Sequence, residues 1–413
     1  MASETPKKVL YIDYFFPPLE ADWRAIAFAK HMPGMGWHPV VVSAAETVSY
    51  GKDYSTLEGI SPEVSVHRIG HRERSKTWNY VRIMLRMATD FPDTYKTWYG
   101  PAYRVARKII QSEKIDLIYS ASPTFTTAMV AMALKEEFNI PWVADFLDGW
   151  AVNDFLMDYL KRYLAAPMRQ VLLWRIRNAE QAILTTADHV VSIHYHVVER
   201  WKKLHGVRGD NIHVVTDGYE EEVFCGLSPR FLSFAKIKIM FMGSYYYQFH
   251  DTIRNFLRAI YDIEPEAEII FIGRNLDAVH QMRIPNTICM LNLPRRKAFE
   301  YALASDFLYV VMPAYAHWTP TKTYDYLRLG KPILGSVPTD GDAAMHITKA
   351  RAGYVLPYGI EAMKAQLRDI FAQYKSGILK DFAPNQDYIA QFERNRLTER
   401  MVTIFNSALK ERV

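Results

Sequence analysis

Short apolar runs alternate with amphipathic stretches in two successive series, and this pattern constrains the chain more than any other feature. "KKVLYIDYF" reads as a buried parallel strand, "DWRAIAFAKHM" carries apolar residues at helical spacing, and "HPVVVSA" follows the glycine-rich turn "PGMGW". "KIDLIYSASPTF" leads into "TTAMVAMALKEEF", "IPWVADFLDGW" is a strand ending in acids, and "DHVVSI" and "NIHVV" complete the series. After the polar, turn-like "TDGYEEEVFCGLSPRFLSF" the alternation restarts with "AKIKIMFMGS", "EAEIIFIGR", "TICML", "DFLYVVM" and "KPILGSV". Strand, crossover and strand units imply parallel sheets covered by helices on both faces. The expected class is α/β, with two Rossmann-like, doubly wound parallel-sheet domains over residues 1–222 and 223–390 and a linker near Glu220 to Phe234. The amphipathic segment 391–413 belongs to neither series; it either returns to the first half or packs on the second. Ligands of open α/β sheets lie outside the carboxyl ends of the strands, so two facing sheets would place them in a cleft.

With 413 residues the chain exceeds one ordinary core, and 49% hydrophobic against 23% charged residues is a globular composition. Its two cysteines, Cys225 and Cys289, form no CxxC pair and are expected as reduced thiols. The N-terminus lacks an apolar run of signal-peptide length, and "AMVAMAL" is far short of the roughly 18 residues that span a bilayer, so the expected location is cytoplasmic. The formal charge of +5 is modest and gives no reason to expect a nucleic-acid partner. It is uneven, however: His67 to Met87 and Tyr159 to Glu180 mix Arg and Lys with Trp, Tyr and Leu. Such basic, amphipathic stretches suit an anionic membrane surface, with ordinary solvated helix faces as the alternative. No GxxxxGK[ST] loop or full GxGxxG fingerprint occurs, against a nucleotide hydrolase or a dinucleotide dehydrogenase. His194 and His196 lack the further ligands of a zinc set, so no metal site is expected. Asp340 and Asp342 of "TDGD" read as helix-capping residues.

Candidate site residues cluster where strands end. "DYFFPPLEADWR" supplies Tyr14, Glu20 and Arg24, with Asp22 as a helix cap. Asp145 and Asp148 of "DFLDGW" could bond sugar hydroxyls or hold a loop. In "FMGSYYYQFHD", Gly243 and Ser244 form a turn that lets backbone approach a ligand, and Arg274 of "FIGRN" offers a guanidinium to phosphate or to a surface ion pair. "HWTPTKTYDYLRLGKPILG" begins a helix whose amides, with Thr321 and Lys322, suit a diphosphate. Asp325 lies one turn on and could accept two ribose hydroxyls, the alternative being an i,i+3 pair with Lys322.

Together these pieces resemble the retaining nucleotide-sugar glycosyltransferases of the GT-B fold, family four. They occur in that family's order: "YFFPPLEADWR", "FPDTYKTW", "IPWVADFLDGW", "DGYEEEVF", "FMGSYY", "SDFLYVVMP", "PTKTYDYLRLGKPIL" and "GDAAMHI". The resemblance implies a diphosphate at Thr321 and Lys322, ribose on Asp325, and the loop from Tyr14 through Glu20 to Arg24 on the acceptor side. It also implies catalytic positions at Asp148 and His317. His317 and Asp325 stand where many members have two Glu, "LEAD" replaces a glycine pair, and Leu147 replaces a histidine. The phosphate-gripping Arg and Lys of the family are missing from "GSYYYQFHD". The implied activity is retaining, metal-independent transfer from a nucleotide diphosphate sugar, with no separate cofactor. The acceptor would be a saccharide, lipid-linked or small molecule, in polysaccharide, glycolipid or glycosylated metabolite synthesis, with the protein cytoplasmic or peripheral at the inner membrane face. The alternatives are a nucleotide-sugar epimerase and a catalytically silent sugar-nucleotide binding protein.

Overall fold

Both expected series of strands form parallel sheets. The computed structural model of the chain describes residues 6–19, 23–48, 50–72, 91–230, 237–291 and 293–411. Glu20, Asp22 and most of the basic stretch from His67 to Met87 lie outside the described residues. The first sheet contains β1 (Lys7–Ile12), β2 (Trp37–Ala44), β3 (Ser65–Ile69), β4 (Leu117–Ala121), β5 (Trp142–Phe146), β6 (His189–Ser192) and β7 (Ile212–Val214). Their order is β3-β2-β1-β4-β5-β6-β7, with β1 held between β2 and β4.

A strand covered on both faces needs apolar residues at consecutive positions, and β1 meets that demand from Val9 to Ile12. Leu10 and Ile12 join a core with Trp98, Ala102 and Leu134 from the helices Lys96–Ser112 and Phe125–Phe138. Val9 and Tyr11, pointing the other way, join Phe28 of the helix Trp23–His31 and Leu397, Met401 and Phe405 of the helix Arg394–Lys410.

The second sheet contains β8 (Lys238–Met242), β9 (Glu268–Gly273), β10 (Thr287–Leu291), β11 (Phe307–Val311), β12 (Ile333–Ser336) and β13 (Gly353–Val355), in the order β10-β9-β8-β11-β12-β13. Strand order reverses between β1 and β4 in one sheet and between β8 and β11 in the other. Those are the switch points where open α/β sheets hold ligands.

The chain divides into one unit of Met1–Thr216 with Arg394–Val413 and another of Asp217–Glu393. The sequence reading set the boundaries at 222/223 and 390/391; they fall at 216/217 and 393/394. The physical reason lies in the segment after Thr216. Glu221 accepts from Arg328 Nε at 2.6 Å, and Arg296 donates to the carbonyls of Val223 and Cys225 at 3.0 and 2.8 Å. Tyr219 N–H also donates to Phe392 O at 3.0 Å. The outgoing and returning passes therefore lie side by side within the second unit. Cys225 and Cys289 are both free thiols. No helix among the described residues is long and apolar enough to cross a membrane.

Candidate functional site

Each unit places a group of polar residues at its own switch point. In the second unit, Gly243 directly follows β8 with φ +129°, in the region that favours glycine. A Cβ on Gly243 would lie 2.6 Å from Lys322 Nζ, and one on Gly273 would lie 1.9 Å from the carbonyl oxygen of Gly243. Gly243 N–H donates to Ile272 O at 2.8 Å and Tyr245 N–H to Arg274 O at 2.9 Å. These close approaches gather Gly243, Ser244, Arg274 and Lys322 at the ends of β8 and β9. The Tyr326 hydroxyl accepts from Met242 N–H at 2.7 Å, which fixes the helix Lys322–Leu329 to the end of β8.

Lys322 Nζ stands 3.7 Å from the centroid of the Phe241 ring. Among the described residues no carboxylate pairs with it, and burial lowers its pKa to about 7. An ammonium in this position is stabilised by an incoming anion. The helix start contributes less than its sequence suggests, because the amides of Thr323 and Tyr324 already bond the carbonyls of Pro320 and Thr321. The Thr321 side chain makes no capping bond.

Asp325 is buried and accepts from Arg295 Nη2 at 2.6 Å, so the expected alternative of an i,i+3 pair with Lys322 gives way to a partner on the helix Arg295–Ala304. His317 Nε2 lies 3.3 Å from Asp340 Oδ1, and its carbonyl accepts from Asp342 N–H at 2.8 Å. Asp340 therefore meets His317, and Asp342 is the first residue of the helix Asp342–Lys349, whose N-cap is Gly341 with no side-chain capping bond. Neither acid is therefore the N-cap residue of that helix.

In the first unit a cavity of about 300 Å³ lies over the ends of β1, β4 and β5, lined by Asp13, Phe15, Arg24, Tyr50 and Asp148 among others. Arg24 and Asp145 hold each other there. Arg24 Nε donates to Asp145 Oδ2 at 2.9 Å and Nη1 to Thr216 O at 2.7 Å, while the Tyr119 hydroxyl also donates to Asp145. The side chains are 3% and 1% exposed, so of the two roles read for Asp145 the geometry displays the structural one. Tyr14 turns into the core, its ring 5.4 Å from that of Trp98 and its hydroxyl 3.3 Å from His71 Nε2. Burial raises the pKa of Asp148 to about 6 against the opposing influence of His196, and that of Asp13 to about 7.

Sequence reasoning picks out neither Asp13 nor Arg295. Asp13 follows β1 directly and reads as the last polar letter of a strand. Arg295 opens a helix in "LPRRKAFE", and only the tertiary fold sets it against Asp325.

Residues 22–218 match the family model described as a glycosyl transferase 4-like domain. A search of curated protein sequences finds no significant match. Among solved structures, a glycosyltransferase from Rickettsia africae is 14% identical, with a TM-score of 0.64 over 98% of this chain and 100% of that one. Anabaena Alr3699/HepE in complex with UDP-glucose is 14% identical, with a TM-score of 0.65 over 97% and 99%. A Listeria monocytogenes protein assigned as a UDP-N-acetylglucosamine 2-epimerase is 12% identical, with a TM-score of 0.54 over 97% and 95%. The family match thus covers the first unit, and the chain as a whole has the GT-B fold of two Rossmann-like units.

Proposed function

We propose that this protein is a retaining glycosyltransferase that moves a sugar from a nucleotide diphosphate sugar to an acceptor hydroxyl. The observation that carries the reading is Lys322, a half-buried lysine with no carboxylate partner among the described residues, set against a glycine turn at the switch point of the second sheet. In this reading the diphosphate lies on Lys322, Thr321 and the Gly243–Ser244 turn with Arg274 beside it, and the ribose lies on Asp325. The likeness to Alr3699/HepE, solved with UDP-glucose, supports a donor of that class. As the glycosidic bond breaks, negative charge builds on the departing diphosphate, and Lys322 stabilises it in a site shielded from water. The leaving phosphate takes the acceptor proton on the same face, so the reaction demands no strong protein base and no metal. Asp148 and His317 are the catalytic positions in this reading, Asp148 near the reacting sugar and His317 at the sugar end of the donor.

Incubation with uridine, guanosine and thymidine diphosphate sugars and an acceptor panel tests the reading by NMR of the product. The expected product keeps the donor's anomeric configuration; an inverted one overturns the mechanism. The Listeria likeness supports a second reading, an epimerase. Acceptor-dependent release of nucleoside diphosphate favours transfer, and acceptor-independent interconversion of the sugar favours epimerisation.

The proposal includes a peripheral place at the cytoplasmic face of a membrane. The helix Ala166–Thr186 exposes Met168, Val171 and Trp174 along one face, with Val171 60% and Trp174 64% exposed. Lys161, Arg162 and Arg177 are exposed nearby in sequence, so the segment combines apolar and basic groups as an interfacial helix does. A lipid-linked acceptor in glycolipid or polysaccharide synthesis suits that location.

A further inference from the structure

The cavity of the first unit carries more chemistry than the transfer reaction requires. Asp13 is 4% exposed and lines it; Oδ1 accepts the Phe15 N–H at 3.0 Å, and Oδ2 accepts no hydrogen bond among the described residues. Asp148 lines the same cavity, and its carboxyl likewise accepts no hydrogen bond among the described residues. The guanidinium lining the cavity, Arg24, is committed to Asp145 and to Thr216 O. Arg68, the cation that acts on Asp13 from β3, is tied to the carbonyls of Phe16 and Pro17 and to the Ser43 hydroxyl. Phe15 and Tyr50 add aromatic surface, their rings 4.5 Å apart.

Among the described residues, an anion entering this space would meet two carboxyls and no available cation. A neutral polyol meets what it needs: carboxyls that accept from its hydroxyls, and apolar faces for its C–H groups. A carboxyl that keeps its proton can also donate to a hydroxyl oxygen, and burial holds both groups toward that form near neutral pH. At about 300 Å³ the cavity stands at the small end of ligand sites, the size for one ring. We infer that this cavity binds a neutral, hydroxyl-rich ring of the acceptor and rejects anionic ones, with Asp13 as a specificity-determining residue beside Asp148. The inference rests on the transferase reading for calling the ligand an acceptor, but the binding chemistry is independent of it.

The test uses the full chain and saturation-transfer NMR with the methyl glycosides of glucose, galactose and mannose, the matching methyl uronosides, and methyl glucosaminide. Among the described residues, the charged or titratable groups facing the two carboxyls are Arg24, Arg68, Asp145 and His196, so the pH series is run on wild type and variants alike. At about pH 8 at least one neutral hexoside is expected to bind about tenfold more tightly than its uronoside, and the gap should narrow at about pH 5.5 as Asp13 and Asp148 protonate. Asp13→Asn keeps an oxygen for the Phe15 amide but cannot ionise; it should hold the neutral ring while losing much of the discrimination and its pH dependence. Asp13→Ala should lose the neutral ring. Equal binding of hexoside and uronoside, unchanged discrimination in Asp13→Asn, or strongly preferred binding of the glucosaminide overturns the inference. Nucleotide-sugar binding to the same samples separates the two claims: if it persists while no neutral hexoside binds, the cavity assignment fails and the transferase reading stands.

Discussion

Lys322 has a folded-state pKa of about 7 against an ordinary 10.5, so the native chain holds its proton less tightly than the unfolded chain. The cost of burying the charge is therefore fully present below about pH 7 and fades as pH rises toward the ordinary lysine value. A diphosphate reverses the preference by favouring the ammonium. Nucleotide-sugar affinity should then fall by up to about tenfold per pH unit above about pH 7, and binding at about pH 8 should take up part of a proton. Calorimetry in buffers of different ionisation enthalpy reads that uptake; Lys322→Arg should abolish it, and zero uptake in wild type would remove the lysine from the phosphate site. Arg24 illustrates a different role. Arg24→Ala leaves Asp145 buried without its cation, a loss of about 3–5 kcal/mol in denaturant unfolding. Arg24 and Asp145 both stand out in the sequence at strand ends, but only folding brings residues 121 positions apart into one ion pair. The chemistry of single residues was thus legible, whereas their partners were not.

Among the elements, the helix Arg394–Lys410 carries structural weight out of proportion to its place in the chain. Phe405 is fully buried, 5.2 Å from the Trp37 ring and 5.5 Å from that of Tyr119. Phe405→Ala should cost about 3–5 kcal/mol, seen as a lower denaturant midpoint, and a shift near zero would mean the helix is dispensable to that core. The helix Ala166–Thr186 is tested differently. Trp174→Glu and Val171→Glu should abolish salt-sensitive sedimentation with anionic vesicles while leaving Tm within about 2 °C, because both side chains are exposed. Persistent sedimentation of the double variant would discard this face as the contact. Strands were the most legible elements because runs such as "DFLYVVM" are apolar at consecutive positions, as two-sided burial demands. The amphipathic tail announced a buried face without its destination, since a single stripe fits many partners equally well.

Across the whole molecule, the two-sheet GT-B architecture was legible because each series restarts the same alternation. The limits of the units were less so. Residues 217–222 look like a polar linker, yet the Glu221–Arg328 ion pair and the bond from Tyr219 N–H to Phe392 O fasten the segment to the second unit. The proposed donor site at Gly243, Arg274 and Lys322 predicts that a thermal-shift panel of nucleotide sugars raises Tm for the donor and that Lys322→Met erases that rise. The return of Arg394–Lys410 to the first unit has a consequence for synthesis. The face of β1 that receives Phe405 leaves the ribosome early, but its cover is made only after Asp217–Glu393 has been translated, a stretch that alone takes about 10 to 35 s at 5–20 residues per second. The unit that is made first is the one completed last, and during that interval its nascent core is the surface a chaperone would guard.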